Sequence, residues 1–170
     1  MPYDRDVQAF HDRAPDYESG FRGRMHHDIV TRTAGLALDV EPKPRRVLDV
    51  GCGTGLLLRL LAERRPDTER LEGIDAFDLI ISTTSFDHWR DQRAGLDQCY
   101  RVLAPGGHFV LTDLFSLWLA PTLICGHRGR ARTKRRAQAL LKGAGFRTIE
   151  WHNLYTLIIS TVVARKQPRN

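Results

Sequence analysis

The sequence predicts an α/β domain on a mostly parallel sheet. Three observations carry this. Short runs rich in valine, leucine and isoleucine alternate with segments of helical periodicity. A glycine-rich turn, "GCGTG" at 51–55, stands between one such run and one such helix. The 170 residues are enough for one domain with a proper core.

The elements follow in order. Residues 4–40 read as helices, and "RMHHDIVTRTAGLAL" puts Ile29, Val30, Ala34, Ala37 and Leu38 on one stripe. "EPKPRR", from Glu41, has two prolines and is a linker. "RVLDV", Arg46 to Val50, is a short apolar run and hence a buried strand. In "LLLRLLAERRP", Leu56, Leu57, Leu60 and Leu61 have helical spacing, closed by Pro66. "RLEGID" and "FDLIIST" read as two further strands. Leu96, Cys99, Tyr100 and Leu103 fall at i, i+3, i+4 and i+7, which predicts a helix. "APGG" at 104–107 signals a turn before the strand "HFVLTDL". "KRRAQALLKGAGF" is a helix ending at glycines, and strands over 146–153 and 157–164 close the chain.

The bulk properties narrow the class. No apolar run reaches membrane-spanning length, and "MPYDRDVQAFHDR" has no apolar signal core, so a cytoplasmic protein is expected. Cys52, Cys99 and Cys125 are scattered, with no CxxC and no ligand spacing for zinc, so no metal is expected. The net charge is +6. The one dense basic patch, "HRGRARTKRR" at 127–136, lacks interleaved aromatic residues to stack bases, so nucleic acid is not the expected partner.

The stretch "VLDVGCGTG" carries the chemistry. Gly51, Gly53 and Gly55 follow a strand and open a helix, where glycine allows a sharp turn and close approach of a ligand. Asp75 ends the next predicted strand 20 residues after Gly55, and a carboxylate there can accept both hydroxyls of an adenosine ribose. Position 56 is leucine, so no GxGxxG is present and a pyrophosphate loop is the weaker reading.

"LDVGCGTG", the strand-end Asp75, "FDLIIST…FDHW" and "RVLAPGGHFVLTD", taken together, resemble the class I S-adenosylmethionine-dependent methyltransferases. The resemblance covers roughly residues 10–165 and is nearest the small-molecule subgroup that includes quinone-biosynthesis C-methyltransferases. It implies a Rossmann-like three-layer sandwich with strand order 3-2-1-4-5-7-6 and strand 7 antiparallel. It implies one domain over 1–170, with a helical cap at 1–44 and the core at 45–166. It implies S-adenosylmethionine as cofactor. The loop of Asp49, Gly51, Cys52, Gly53, Thr54 and Gly55 would hold its methionine part, and Asp75 its ribose. Ser82 and Thr83, in the stretch running to Ser85, would flank the methyl group, and Tyr17 would reach the cofactor carboxylate.

Methyl transfer from a sulfonium is an in-line displacement that needs mainly alignment. A hydroxyl or enol acceptor would gain from a general base, and the candidate is His88 beside Asp87. Family members often carry two histidines here, and Asp87 stands in place of the first. His26 and His27 are expected at the surface. The D/N-P-P-Y/W signature of exocyclic-amino methylation is replaced by "STTS", and the carboxylate pattern of metal-dependent catechol methylation is not visible. The expected reaction is O- or C-methylation of a small molecule, and the expected partners are that substrate and a second copy of the chain. A non-catalytic binding protein and an RNA methyltransferase stay open as alternatives.

One junction conflicts with the full topology. In that order, strands 2 and 4 flank strand 1, about 9.5 Å apart, and the chain must also travel back roughly 16 Å. Ala76 and Phe77 span only about 7 Å when extended. A crossover between parallel strands takes about a dozen or more residues. Roughly 25–40 residues, holding strand 3 and its helices, are therefore expected to be missing next to Asp75. The alternative is a true deletion with a rebuilt sheet.

Overall fold

A computed structural model describes residues 20–64, 77–115, 133–155 and 158–168. Helix α1 (Gly20–Val40) precedes strand β1 (Val47–Asp49), helix α2 (Leu56–Arg64) and strand β2 (Phe77–Thr83). A 3-10 turn, Phe86–His88, leads into helix α3 (Gln92–Val102) and strand β3 (Leu103–Leu114). Helix α4 (Lys134–Ala144) and strands β4 (Thr148–Tyr155) and β5 (Ile159–Arg165) complete the order.

The five strands form one sheet, β1-β2-β3-β5-β4. β1, β2 and β3 are parallel, and β5 runs antiparallel to both β3 and β4. This is the 1-4-5-7-6 part of the order expected from the sequence, with the antiparallel seventh strand. Among the described residues no strand pairs with the outer edge of β1. The predicted strand "RLEGID" and the Asp75–Ala76 junction lie outside the described residues.

Side-chain alternation along the strands builds two cores, one on each face of the sheet. Leu79, Ile81, Val110 and Val163 point to one face and meet Val30, Ala34 and Ala37 of α1 and Leu56, Leu57 and Leu61 of α2. Ile80, Phe109, Leu111, Val162 and Ala164 point to the other and meet Leu96 and Cys99 of α3 and Ala137 and Leu141 of α4. The leucine and alanine stripes read from the sequence are the buried faces of these helices.

The helix ends are capped as their sequences dictate. The Asp91 side chain accepts from the Ala94 amide at the start of α3, and Thr133 accepts from the Arg136 amide at the start of α4. Gly145 closes α4 at φ +111°, a left-handed stop that a side chain would strain. The "APGG" signal is real, but it lies inside β3 rather than before it. Leu103 pairs with Phe77 and His108 with Leu79, so five steps of β3 oppose two of β2. The extra residues bulge out, with Gly106 at φ +82°.

Candidate functional site

The turn between β1 and α2 is made by its glycines. Gly51, Gly53 and Gly55 have φ of +82°, +52° and +77°, all in the left-handed region. The Gly55 amide donates to the Cys52 carbonyl at 2.8 Å, and the Arg59 guanidinium donates to the Thr54 carbonyl at 2.7 Å. Residues 51–54 are exposed. A Cβ on Gly53 would meet nothing within 4 Å, and one on Gly55 only the tip of Arg59. The turn is thus an open cradle at the start of a helix, suited to an anionic or polar ligand end. Burial pushes the Asp49 carboxyl up to about 6.

The loop after β2 lies over this turn. The Ser85 hydroxyl donates to the Val50 carbonyl at 3.0 Å and lies 2.9 Å from the Ser82 hydroxyl. A Cβ on Gly51 would come within 2.5 Å of Ser85 Oγ, so this glycine is required by close approach as well as by its φ. Thr84 has φ +51°, and its amide donates to the Thr112 carbonyl at 2.8 Å. The Thr83 hydroxyl is buried without a hydrogen-bond partner.

The 3-10 turn presents Asp87 and His88. His88 Nε2 is 3.3 Å from Asp87 Oδ1, with the histidine side chain about half exposed. Trp89 packs edge-on against Phe86, centroids 5.1 Å apart, and its indole N–H points to Ser85 Oγ at 3.4 Å. Asp113, at the end of β3, accepts from the Phe86 amide at 2.8 Å and the Leu114 amide at 2.7 Å. Burial, then the charge of Asp87, pushes its carboxyl up to about 6. Gln92 Nε2 donates to the Phe86 carbonyl at 2.9 Å.

The structure therefore brings Asp49, the 51–55 turn, Ser82, Thr83 and His88 to the carboxyl ends of β1 and β2. Tyr17 and Asp75 lie outside the described residues, as do residues 127–132 of the basic patch. Lys134 to Arg136 of that patch form the first turn of α4, where Lys134 Nζ donates to Asn153 Oδ1 at 2.9 Å. His27 is exposed on α1 and lies 3.4 Å from Thr31 Oγ1. Sequence reasoning missed Asp113 and Gln92. The signal for Asp113 was an acidic residue at the end of an apolar strand run, "FVLTD". Among the described residues no cluster could hold a metal ion, and no described helix is long and apolar enough to cross a membrane.

A protein-family profile described as a methyltransferase domain matches residues 21–157. The biotin biosynthesis bifunctional protein BioCD of Bordetella avium is 32% identical over 145 aligned positions, which span 65% of this chain and 30% of that protein. The malonyl-[acyl-carrier protein] O-methyltransferase of Geobacter sulfurreducens is 29% identical over 188 positions, 84% of this chain and 70% of that one. The demethylmenaquinone methyltransferase of Thermus thermophilus is 28% identical over 120 positions, 51% of this chain and 54% of that one. The shares of this chain amount to about 110, 143 and 87 of its residues, so about 35, 45 and 33 aligned positions have no residue here. The structure of Burkholderia thailandensis 1,6-didemethyltoxoflavin-N1-methyltransferase, with its substrate and S-adenosylhomocysteine, superposes at TM-score 0.67 and 17% identity, covering 98% of this chain and 91% of that one. The match over most of the chain and the shared α/β fold place this protein in the methyltransferase-domain family, among the class I S-adenosylmethionine-dependent methyltransferases.

Proposed function

We propose that the chain transfers a methyl group from S-adenosylmethionine to a small organic acceptor, at oxygen or carbon. The observation that carries this is the triple left-handed glycine turn, open at Gly53 and closed from behind by Ser85. Its backbone amides and the start of α2 suit the carboxylate of the methionine part. Asp49 would receive the amino group, and Asp75 the ribose hydroxyls. Ser82 and the unpartnered Thr83 hydroxyl would face the reacting end, with Tyr17 closing over the carboxylate.

The bound cofactor supplies an activated methyl group, so the protein need only hold the acceptor in line with it, a contribution of up to about 7–11 kcal/mol. His88 would take the acceptor proton, and Asp87 at 3.3 Å would stabilise the imidazolium that forms. The name of the demethylmenaquinone relative supports a small acceptor, and that of the malonyl-[acyl-carrier protein] relative a small acyl group carried on a protein. A homodimer in the cytoplasm is the setting we infer.

Calorimetric titration with S-adenosylhomocysteine tests the reading: a competent site gives saturable one-to-one binding and raises the Tm. No binding and no shift would leave the second reading, a methyltransferase fold that no longer binds its cofactor. The specific observation favouring that second reading is the shortened chain, which lacks about 33–45 positions its relatives have.

A further inference from the structure

Asp113 is 2% exposed, and a buried carboxylate is costly unless its oxygens are occupied. Its Oδ1 accepts from its neighbour Leu114, but its Oδ2 reaches across to the Phe86 amide, 27 residues away in sequence. The other side of the same peptide residue is held as well: Gln92, 5% exposed, donates to the Phe86 carbonyl at 2.9 Å. Phe86 is thus clamped at both backbone groups by buried polar side chains, and its ring is fully buried. The residue before it is Ser85, whose hydroxyl holds the Val50 carbonyl and whose Oγ and Cβ lie against Gly51.

Resting on the function proposed above, we infer that Asp113 is a positioning residue for the glycine turn, acting through Phe86 and Ser85. It touches neither the turn nor the reacting atoms. It fixes the height of the 85–88 loop over Val50 and Gly51, and so the shape of the cradle.

Two readouts test this, on the full chain with Asp113→Ala, Asp113→Asn and Val163→Ala. Val163 is buried on the opposite face of the sheet and serves as a control for lost stability alone. By calorimetry with S-adenosylhomocysteine, Asp113→Ala weakens binding about tenfold, the scale of one lost charge-assisted bond. Asp113→Asn, which keeps an acceptor oxygen, recovers to within about threefold, and Val163→Ala stays near wild type. By amide hydrogen exchange without ligand, Asp113→Ala speeds exchange across 50–55 and 85–88, and Asn restores it. Wild-type affinity in Asp113→Ala, or equal effects from Val163→Ala, overturns the inference. If the wild type does not bind the probe, the functional reading fails. The exchange pattern then decides the positioning role by itself, and unchanged protection at 50–55 overturns it.

Discussion

The Ser85 hydroxyl donates to the Val50 carbonyl at 3.0 Å, which ties the loop after β2 to the residue just before the glycine turn. The two segments are 35 residues apart in sequence. The consequence is sharpest at Gly51. An alanine there would place its Cβ 2.5 Å from Ser85 Oγ, and it would hold a φ of +82°. The left-handed backbone alone costs about 1–2 kcal/mol, and displacing Ser85 adds to it. Gly51→Ala is therefore expected to lower stability by about 2 kcal/mol or more and to abolish S-adenosylhomocysteine binding. Urea denaturation and calorimetry check it, and a stable variant with normal affinity would refute the packing argument.

Gly53→Ala separates ligand space from packing. Its Cβ would meet no atom of the protein, and the φ of +52° is one that alanine tolerates better. Stability should fall by only about 1 kcal/mol. If the ligand lies against Gly53, its affinity should drop about tenfold or more, because the new methyl group occupies the cradle. Loss of stability without loss of affinity would move the ligand away from the centre of the turn.

Much of this site was legible in the sequence, and the reason is local. The glycine turn, β1, β2 and the helices announce themselves through residues adjacent in the chain, because backbone freedom and side-chain period are short-range properties. Asp113 was visible as an acidic strand end, but its task was not, because that depends on β3 lying beside β2 in one register, Thr83 opposite Thr112. The "APGG" signal was legible as a turn but not as a bulge, since a bulge is defined by the partner strand. The buried hydroxyl row is a third case: Thr33 of α1 donates to Thr112 Oγ1 at 3.0 Å, which is 2.7 Å from Thr161 Oγ1. Three threonines in three elements give no sequence signal until the sheet aligns two of them beneath a helix.

That row should resist apolar replacement. Thr112→Val keeps the shape but leaves the Thr161 hydroxyl without its partner, while the Thr33 hydroxyl keeps the Ile29 carbonyl at 2.9 Å. A cost of about 1–3 kcal/mol is expected. Replacing Thr112 and Thr161 together with valine should cost less than the sum of the single changes, since each removal deprives the other of its partner. Additive losses in a denaturation cycle would show that the row is not a coupled unit.

The Asp113 carboxyl is raised from 3.8 to about 6 in the folded protein. The folded state then holds a proton that the unfolded state has released between these values. The contribution of Asp113 is full below about pH 4, declines as pH rises to about 6, and is lost above, a change on the order of 3 kcal/mol. Asp49, raised to about 6 by burial, acts in the same direction. Asp113→Asn removes its share of the slope, so the variant should gain on the wild type between pH 4.5 and 7. Denaturation curves at those two pH values check it, and parallel losses in both proteins would show that Asp113 does not titrate with folding.

His88 is the remaining test of chemistry as opposed to binding. It lies 3.3 Å from Asp87 on the 3-10 turn, with its side chain about half exposed. Glutamine keeps a polar side chain at this exposed position, so His88→Gln should leave S-adenosylhomocysteine affinity within about twofold. If His88 removes the acceptor proton, turnover with phenolic or quinol acceptors should fall about 10²–10⁴-fold, the usual worth of a general base. Asp87→Asn should give a smaller loss, since it removes support for the imidazolium and not the base itself. Release of S-adenosylhomocysteine, followed against a panel of such acceptors, gives the rates. Turnover unchanged in His88→Gln, with an acceptor found, would mean that alignment alone suffices and that the methyl group goes to an atom needing no base.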